Sequence, residues 1–333
     1  MKNKRNIIVL AITIALVLYL TLKDNFQIIC DKILSTNPLI FLISIVALIL
    51  SLLFKSMSLN TFIREYNNDY SIKKAFNLTI IAQFLNGITP FQTGGQPFQI
   101  YLLKKDGLRI VDSTNAMIKD FIAFQFALII MGIISIIINV KYNLISSSGL
   151  VGSLIFIGFV INIIVLLILI IFMTSKKTGI TIFNKIIDFA YKFIIIKKLK
   201  TTKESIKDSI EGFYKTGKQL QSNKNKLIKG TMYQLISLTL LYSIPMIIFI
   251  SLGTSSVNLV ETLVATSFVM LIGNFIPIPG ATGGIEYGFL QFFGCFVSGA
   301  LLSSGMLLWR FVTYLLGLII GGLLLIFYKG KKE

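Results

Sequence analysis

Residues 33–54, 75–103, 121–140, 142–175, 230–260, 262–285, 287–309 and 311–328 contain no Asp, Glu, Lys or Arg. A helix crossing the hydrocarbon core of a bilayer needs roughly 20 predominantly apolar residues. Inside that core every backbone polar group must be paired, which leaves helices and closed barrels as the spanning structures. A barrel would show short alternating segments, whereas these runs are long and continuous in Ile, Leu and Phe. The chain therefore reads as an all-α polytopic membrane protein. Only 14% of its 333 residues are charged, against about 25% in an ordinary soluble domain.

The formal net charge is +18, which in a soluble protein would suggest nucleic acid. In a membrane protein, Lys and Arg gather on the cytoplasmic side. Lys2, Lys4 and Arg5 thus place the N-terminus inside. The first span runs about 6–22, uncleaved because no small-x-small site precedes Lys23-Asp24. Further full spans are expected at about 38–60, 113–140, 150–173, 230–252 and 303–328, about six in all. Lys55 should snorkel from the second span to the inner surface. Residues 174–229 carry 14 Lys against Asp188, Glu204, Asp208 and Glu211, so they should be cytoplasmic. Lys329, Lys331 and Lys332 place the C-terminus inside as well. The expected location is the cytoplasmic membrane.

Two further apolar stretches are broken. One reads Asn86, Pro90, Thr93-Gly94-Gly95-Gln96-Pro97 and Gln99; the other reads Asn274, Pro277, Pro279-Gly280 and Thr282-Gly283-Gly284-Ile285-Glu286. Each lies between two full spans, one entered from inside and the other from outside. This predicts two re-entrant helix pairs related as an inverted repeat. The whole chain, 1–333, forms one integral membrane domain, with repeats at about 38–140 and 230–328. Irregular backbone at membrane depth is tolerated only inside protein or beside a water-filled cavity. Gly94, Gly95, Gly283 and Gly284 would give a ligand access to backbone. Asn86, Gln96, Gln99 and Asn274 would offer uncharged hydrogen bonds. The alternative is that Pro and Gly merely kink packed helices.

Glu286 is the sole charge between 262 and 309. A carboxylate at that depth needs a partner, and Arg310 in the last span is the natural one. The pair is either a substrate site or a structural lock between the second hairpin and the last helix. Lys119-Asp120 could line an inner entrance, an interfacial salt bridge being the alternative. Residues 181–196 and the helix after the Thr201–Glu204 capping box are amphipathic and basic, suited to the anionic inner leaflet. The chain has no histidine, and Cys30 and Cys295 are too few for a structural zinc site. No nucleotide-binding motif appears, so no cofactor and no metal are expected.

The combination Thr89-Pro90, Gly94-Gly95-Gln96-Pro97, Gln99 and Lys104-Lys105-Asp106-Gly107, with Pro277-Ile278-Pro279-Gly280, Gly283-Gly284-Ile285-Glu286 and Arg310, resembles the membrane region of the lysylphosphatidylglycerol synthase/flippase family. The resemblance covers nearly the whole chain. It departs at Lys119-Asp120, where many members carry an Arg-containing pair. It implies movement of phosphatidylglycerol, or its aminoacylated (lysyl) form, between leaflets. The family's transferase activity resides in a soluble C-terminal domain. This chain ends at Glu333, just past the last span, and the segment of about 55 residues at 174–229 is too small for such a domain. Alternatives are a lysyl-tRNA-dependent phosphatidylglycerol lysyltransferase acting with a partner catalytic domain, and a membrane scaffold without turnover. The implied partners are a membrane phospholipid and an aminoacyltransferase; nucleic acid is not expected.

Overall fold

The computed structural model describes residues 26–145, 149–175, 178, 181, 212, 214–220, 222–273 and 276–328. The expected first span, the basic stretch 182–211, the terminal lysines and Asn274 lie outside these residues. Helices account for the described elements in order: α1 (Phe26–Leu34), α2 (Pro38–Ile63), α3 (Ile72–Ile88), α4 (Gly95–Lys105), α5 (Ile110–Tyr142), α6 (Gly149–Thr174), α7 (Lys224–Ser251), α8 (Leu259–Gly273), α9 (Gly284–Phe293), α10 (Gly299–Arg310) and α11 (Leu316–Phe327). Short 3-10 turns at Pro90–Gln92 and Pro279–Ala281 separate α3 from α4 and α8 from α9. A π-turn at Phe311–Leu315 joins α10 to α11.

Among the described residues, Pro38–Ile63, Ile110–Tyr142, Ile155–Thr174, Lys224–Ser251 and Gly299–Phe327 are long and apolar enough to cross a membrane. At 1.5 Å per residue, the 26 residues of α2 extend beyond the roughly 30 Å of hydrocarbon. Its start is set by Asn37, whose side chain accepts from Leu39 N–H (3.0 Å) and Ile40 N–H (3.3 Å). Pro38 follows at a position that needs no N–H.

α2 packs along α7 over most of its length. Asn37 N–H donates to Ser251 O at 2.8 Å, at the start of one helix and the end of the other. Near the middle, Ser51 Oγ lies 3.1 Å from Ser237 Oγ. The two helices therefore run antiparallel. The broken pair after α2 and the broken pair after α7 consequently open at opposite ends of the bundle. Each pair folds back on itself: α3 packs on α4, and α8 on α9. Lys74, at the start of α3, lies 3.6 Å from Asp106, just past α4. The hairpins are thus re-entrant, and their 3-10 tips touch inside the bundle.

The two halves repeat in the order of their elements. One displacement along the chain carries Pro90 onto Pro279, Gly95 onto Gly284 and Ile110 onto Gly299, the starts of equivalent elements. It also exchanges the contacts, since α3 packs on α11 and α8 packs on α5. At the tips, the residue before each proline is extended: Thr89 has φ −115° and ψ 145°, Ile278 φ −102° and ψ 141°. The next two residues are left-handed in both, Phe91 (φ 55°) and Gln92 (φ 54°) against Gly280 (φ 63°) and Ala281 (φ 52°). Thr93 Oγ1 donates to Pro90 O at 3.1 Å and Thr282 Oγ1 to Pro279 O at 3.0 Å. The counterpart of Pro90 is therefore Pro279, not Pro277. Positive φ at Phe91, Gln92 and Ala281 costs of order 1 kcal/mol each or more; the second tip is buried, whereas the first is not, Phe91 being 51% exposed.

Candidate functional site

Two neighbouring cavities lie where the tips meet the long helices. The larger, about 390 Å³, is lined by Lys55, Asn86, Gln92, Thr93, Gln96, Gln99, Asp120, Gln125, Asn162 and Gln234, with Phe121 and Phe124 among its apolar walls. The smaller, about 150 Å³, is lined by Ser51, Gln83, Ser237, Gly280, Trp309, Arg310, Thr313 and Tyr314. Lys55, Asn86, Gln92, Phe124 and Gln234 border both. A lining this rich in amides is unusual for a membrane interior, where polar groups are expensive unless they serve water, a partner or a ligand.

Lys55 comes from the last third of α2. It does not snorkel to a surface. Its ammonium points inward, 5.8 Å from the centre of the Phe124 ring, and it makes no hydrogen bond or ion pair among the described residues. Lys55 borders both cavities. Asp120 comes from α5 and is buried. Its Oδ1 accepts from Ser58 Oγ (2.6 Å) and Gln234 Nε2 (3.0 Å). Its Oδ2 accepts nothing among the described residues.

Lys119 and Asp120 therefore part company. A helix turns about 100° per residue, so adjacent side chains face different ways. The Lys119 ammonium donates to the Glu65 carboxylate, to Tyr66 Oη (2.9 Å) and to Gln219 Oε1 (2.9 Å). It is fully buried and lines neither cavity. The two residues do not line one entrance: Asp120 borders the larger cavity, while Lys119 makes a salt bridge to Glu65 and ties α5 to the end of α2 and to the stretch 214–220.

Glu286 and Arg310 do meet. Glu286 Oε1 lies 2.6 Å from Arg310 Nε, and its Oε2 accepts Gly283 N–H at 2.6 Å. Glu286 is the third residue of α9 and caps that helix from within. Arg310 Nη2 also donates to Gly280 O (3.3 Å) and Thr282 Oγ1 (3.4 Å), and its guanidinium lies 4.2 Å from the Tyr314 ring centre. The Tyr314 hydroxyl donates to Gly87 O at 3.1 Å, on the other hairpin. Arg310 and Tyr314 thus link both tips to the last span. A Cβ on Gly280 would overlap the Tyr314 ring, so the position needs glycine for space as well as for φ.

The glycine pairs are committed elsewhere. Gly94 N–H donates to Thr89 Oγ1 (2.9 Å) and Gly95 N–H to Asn86 Oδ1 (2.8 Å). These bonds satisfy amides that a helix start leaves open. The Gly94, Gly95 and Gly283 amides are consequently not free for a headgroup, and Gly284 faces Ile276. Of the residues singled out from sequence, Asn86, Thr93, Gln96, Gln99, Asp120, Gly280 and Arg310 border the cavities. Pro90, Pro277, Pro279, Gly94, Gly95, Gly283, Gly284, Glu286 and Lys119 do not. Lys55, Gln92, Gln125, Asn162, Gln234 and Tyr314 were missed. For Lys55, Gln125, Asn162 and Gln234 the signal available was a polar side chain inside an otherwise apolar run; Gln92 lies in the break itself and Tyr314 beside Thr313. Among the described residues no group of three Cys, Asp or Glu could hold a metal ion.

At the end of the bundle that bears the first hairpin's opening, Asp106 accepts from Tyr70 Oη (2.6 Å) and Tyr328 Oη (2.7 Å). Burial, and next the neighbouring carboxylate, hold both phenols protonated well above the usual tyrosine range.

Comparison with known proteins gives a family and two relatives. The family described as the lysylphosphatidylglycerol synthase TM region matches residues 6–321. A UPF0104 membrane protein of Pyrococcus horikoshii is 25% identical over 300 residues, 87% of each chain. One of Archaeoglobus fulgidus is 22% identical over 255 residues, covering 75% of this chain and 74% of its own.

Proposed function

Since the chain belongs to the family of the lysylphosphatidylglycerol synthase transmembrane region, we propose that it is a flippase-like translocator. Its cargo in this reading is a phospholipid such as phosphatidylglycerol or its lysyl form, moved across the cytoplasmic membrane. The N- and C-termini lie in the cytoplasm, and the basic segment 174–229 rests on the anionic inner leaflet. The observation that carries the proposal is the amide-lined cavity beside the first tip, next to a smaller cavity that the second tip reaches through Gly280. A headgroup crossing hydrocarbon must exchange its water for protein dipoles, because an unpaired polar group in an apolar medium costs several kcal/mol. Gln96, Gln99, Gln125 and Asn162 offer that substitute beside the first tip, and broken helices of an inverted repeat are where transporters place such sites. An aminoacyltransferase is the natural partner to supply a lysyl lipid.

The test is leaflet exchange in proteoliposomes of acyl-labelled phosphatidylglycerol and its lysyl derivative. The control is the double variant Gln96→Leu/Gln125→Leu, whose amides make no other hydrogen bond among the described residues. Each lost hydrogen bond is worth about 1 kcal/mol, so exchange should slow about tenfold or more. Exchange at the wild-type rate in the folded double variant would remove the cavity from the path. No exchange of either lipid by folded wild-type protein would refute translocation of these lipids.

A further inference from the structure

Lys55 and Asp120 are the two charges of the larger cavity, and neither is used up by the scaffold. Among the described residues Lys55 makes no hydrogen bond or ion pair, and the Phe124 ring centre lies 5.8 Å from its ammonium. Asp120 is fixed through one oxygen by Ser58 and Gln234, which leaves the other toward the cavity. The two are not in ion-pair contact, although nothing else among the described residues neutralises either. Arg310, at the edge of the smaller cavity, is already balanced by Glu286. The cavity thus holds one positive and one negative group that feel each other's charge without ion-pair contact, between uncharged amides.

That arrangement has a charge preference. An anionic headgroup placed there would meet Lys55 but also press its phosphate against Asp120, leaving a net buried negative charge. A headgroup with a phosphate and one ammonium would answer both groups and leave the cavity neutral. Buried charge is tolerated when it is paired. We infer that the Lys55–Asp120 cavity is a binding site for a net-neutral phosphate ester bearing one primary amine, Lys55 taking the phosphate and Asp120 the ammonium. The inference rests on the translocator reading and changes its cargo: a net-neutral headgroup with one amine is neither phosphatidylglycerol, which is net negative, nor its lysyl form, which carries two amines and is net positive. At about 390 Å³, the cavity falls in the size range of small-ligand sites, roughly 300–1,000 Å³.

The protein carries its own probe. Trp309 is the single tryptophan, and it borders the smaller cavity, which shares Lys55, Gln92 and Gln234 with the larger. The full chain in detergent is titrated with glycerophosphoethanolamine, glycerophosphoglycerol and inorganic phosphate while Trp309 fluorescence is followed. Wild-type protein should bind glycerophosphoethanolamine about tenfold or more tightly than either of the others. Lys55→Met should weaken it by about tenfold or more, and Asp120→Asn should invert the order in favour of glycerophosphoglycerol. Equal or tighter binding of glycerophosphoglycerol by wild-type protein would overturn the inference, and this arm needs no variant to fold. Binding of inorganic phosphate as tight as that of glycerophosphoethanolamine would overturn it too, since the site would then be for free phosphate.

Leaflet exchange of acyl-labelled phosphatidylethanolamine and phosphatidylglycerol separates the two levels. Selective headgroup binding without exchange of either lipid would refute translocation and leave the site. Exchange of both at equal rates would refute the site and leave translocation.

Discussion

Removing the negative charge of Glu286 should destabilise the second hairpin while removing both charges of its pair should cost less. Both side chains are largely buried, Arg310 at 12% and Glu286 at 7% exposure. Deleting one partner of a buried ion pair typically costs about 3–5 kcal/mol, because the other charge is left without compensation. In Glu286→Gln, the guanidinium keeps Gly280 O, Thr282 Oγ1 and the Tyr314 ring. A neutral amide oxygen can still accept from Gly283 N–H. Those residual contacts put the expected loss at the low end, about 3 kcal/mol. Arg310→Met strands the carboxylate instead, with only Gly283 N–H to stabilise it, and should cost about 4 kcal/mol. In the double variant no buried charge remains, so the loss should be about 2 kcal/mol, far below the sum. The assay is unfolding by increasing SDS fraction in mixed micelles for the four proteins. Effects additive within about 0.5 kcal/mol would refute the ion pair as the latch between α9 and the last span.

Other consequences follow from local contacts. A Cβ at Gly321 would come 2.5 Å from Ile80 O, so Gly321→Leu should push α11 off α3 and cost about 1–3 kcal/mol, read by the same unfolding assay; an unchanged transition would contradict that packing. Asn86→Ala and Thr89→Val each remove one cap from the start of α4 and should cost about 0.5–2 kcal/mol, checked by faster amide hydrogen exchange at 94–99 and nowhere else. The Tyr70 and Tyr328 phenols have folded-state pKa values raised above the unfolded one, so their stabilising effect is full below about pH 10 and is lost as pH rises beyond it. Unfolding followed from pH 8 to 11 should show this decline in wild-type protein and a flatter profile in Tyr70→Phe/Tyr328→Phe; equal slopes would contradict it.

The spans were legible because their signal is composition over about 20 residues, which no tertiary contact can hide. The breaks were legible because Pro and Gly act on the backbone directly. The pairing of Glu286 with Arg310 was legible because a lone carboxylate in an apolar run has few partners to choose from. What sequence did not show is which face of a helix a polar residue occupies. Lys55 looked like a snorkelling residue because it lies eight positions from the end of α2, close enough for its stem to reach out. Only the packing of α2 against α7 and α5 turns it inward. Lys119 and Asp120 looked like a unit because they adjoin, yet neighbours on a helix point apart. The glycine pairs looked like backbone openings because the acceptors that occupy their amides, Thr89 Oγ1, Asn86 Oδ1 and Glu286 Oε2, were not visible as such.

The repeat also shows where function can reside. The tips share the extended residue before proline, the two left-handed residues after it and the threonine bond on the proline carbonyl; they then diverge, Thr93 being helical where Thr282 is extended, and they do not match in charge. The displacement that superposes the halves carries Lys55 onto Ile244, Asp120 onto Trp309 and Phe121 onto Arg310. One half therefore presents an open Lys–Asp set to the larger cavity. The other closes its charges on each other in the Glu286–Arg310 latch and puts an indole where its counterpart has a carboxylate. In the translocator reading proposed above, unlike charges would make the two openings of the site unequal in free energy, and a ligand shifts such an equilibrium only by binding its states differently. Restoring symmetry should therefore be damaging: Asp120→Trp or Phe121→Arg would copy one half onto the other and fill or repel the site, whereas Phe121→Leu, which keeps the wall apolar, should leave leaflet exchange within about twofold of wild type.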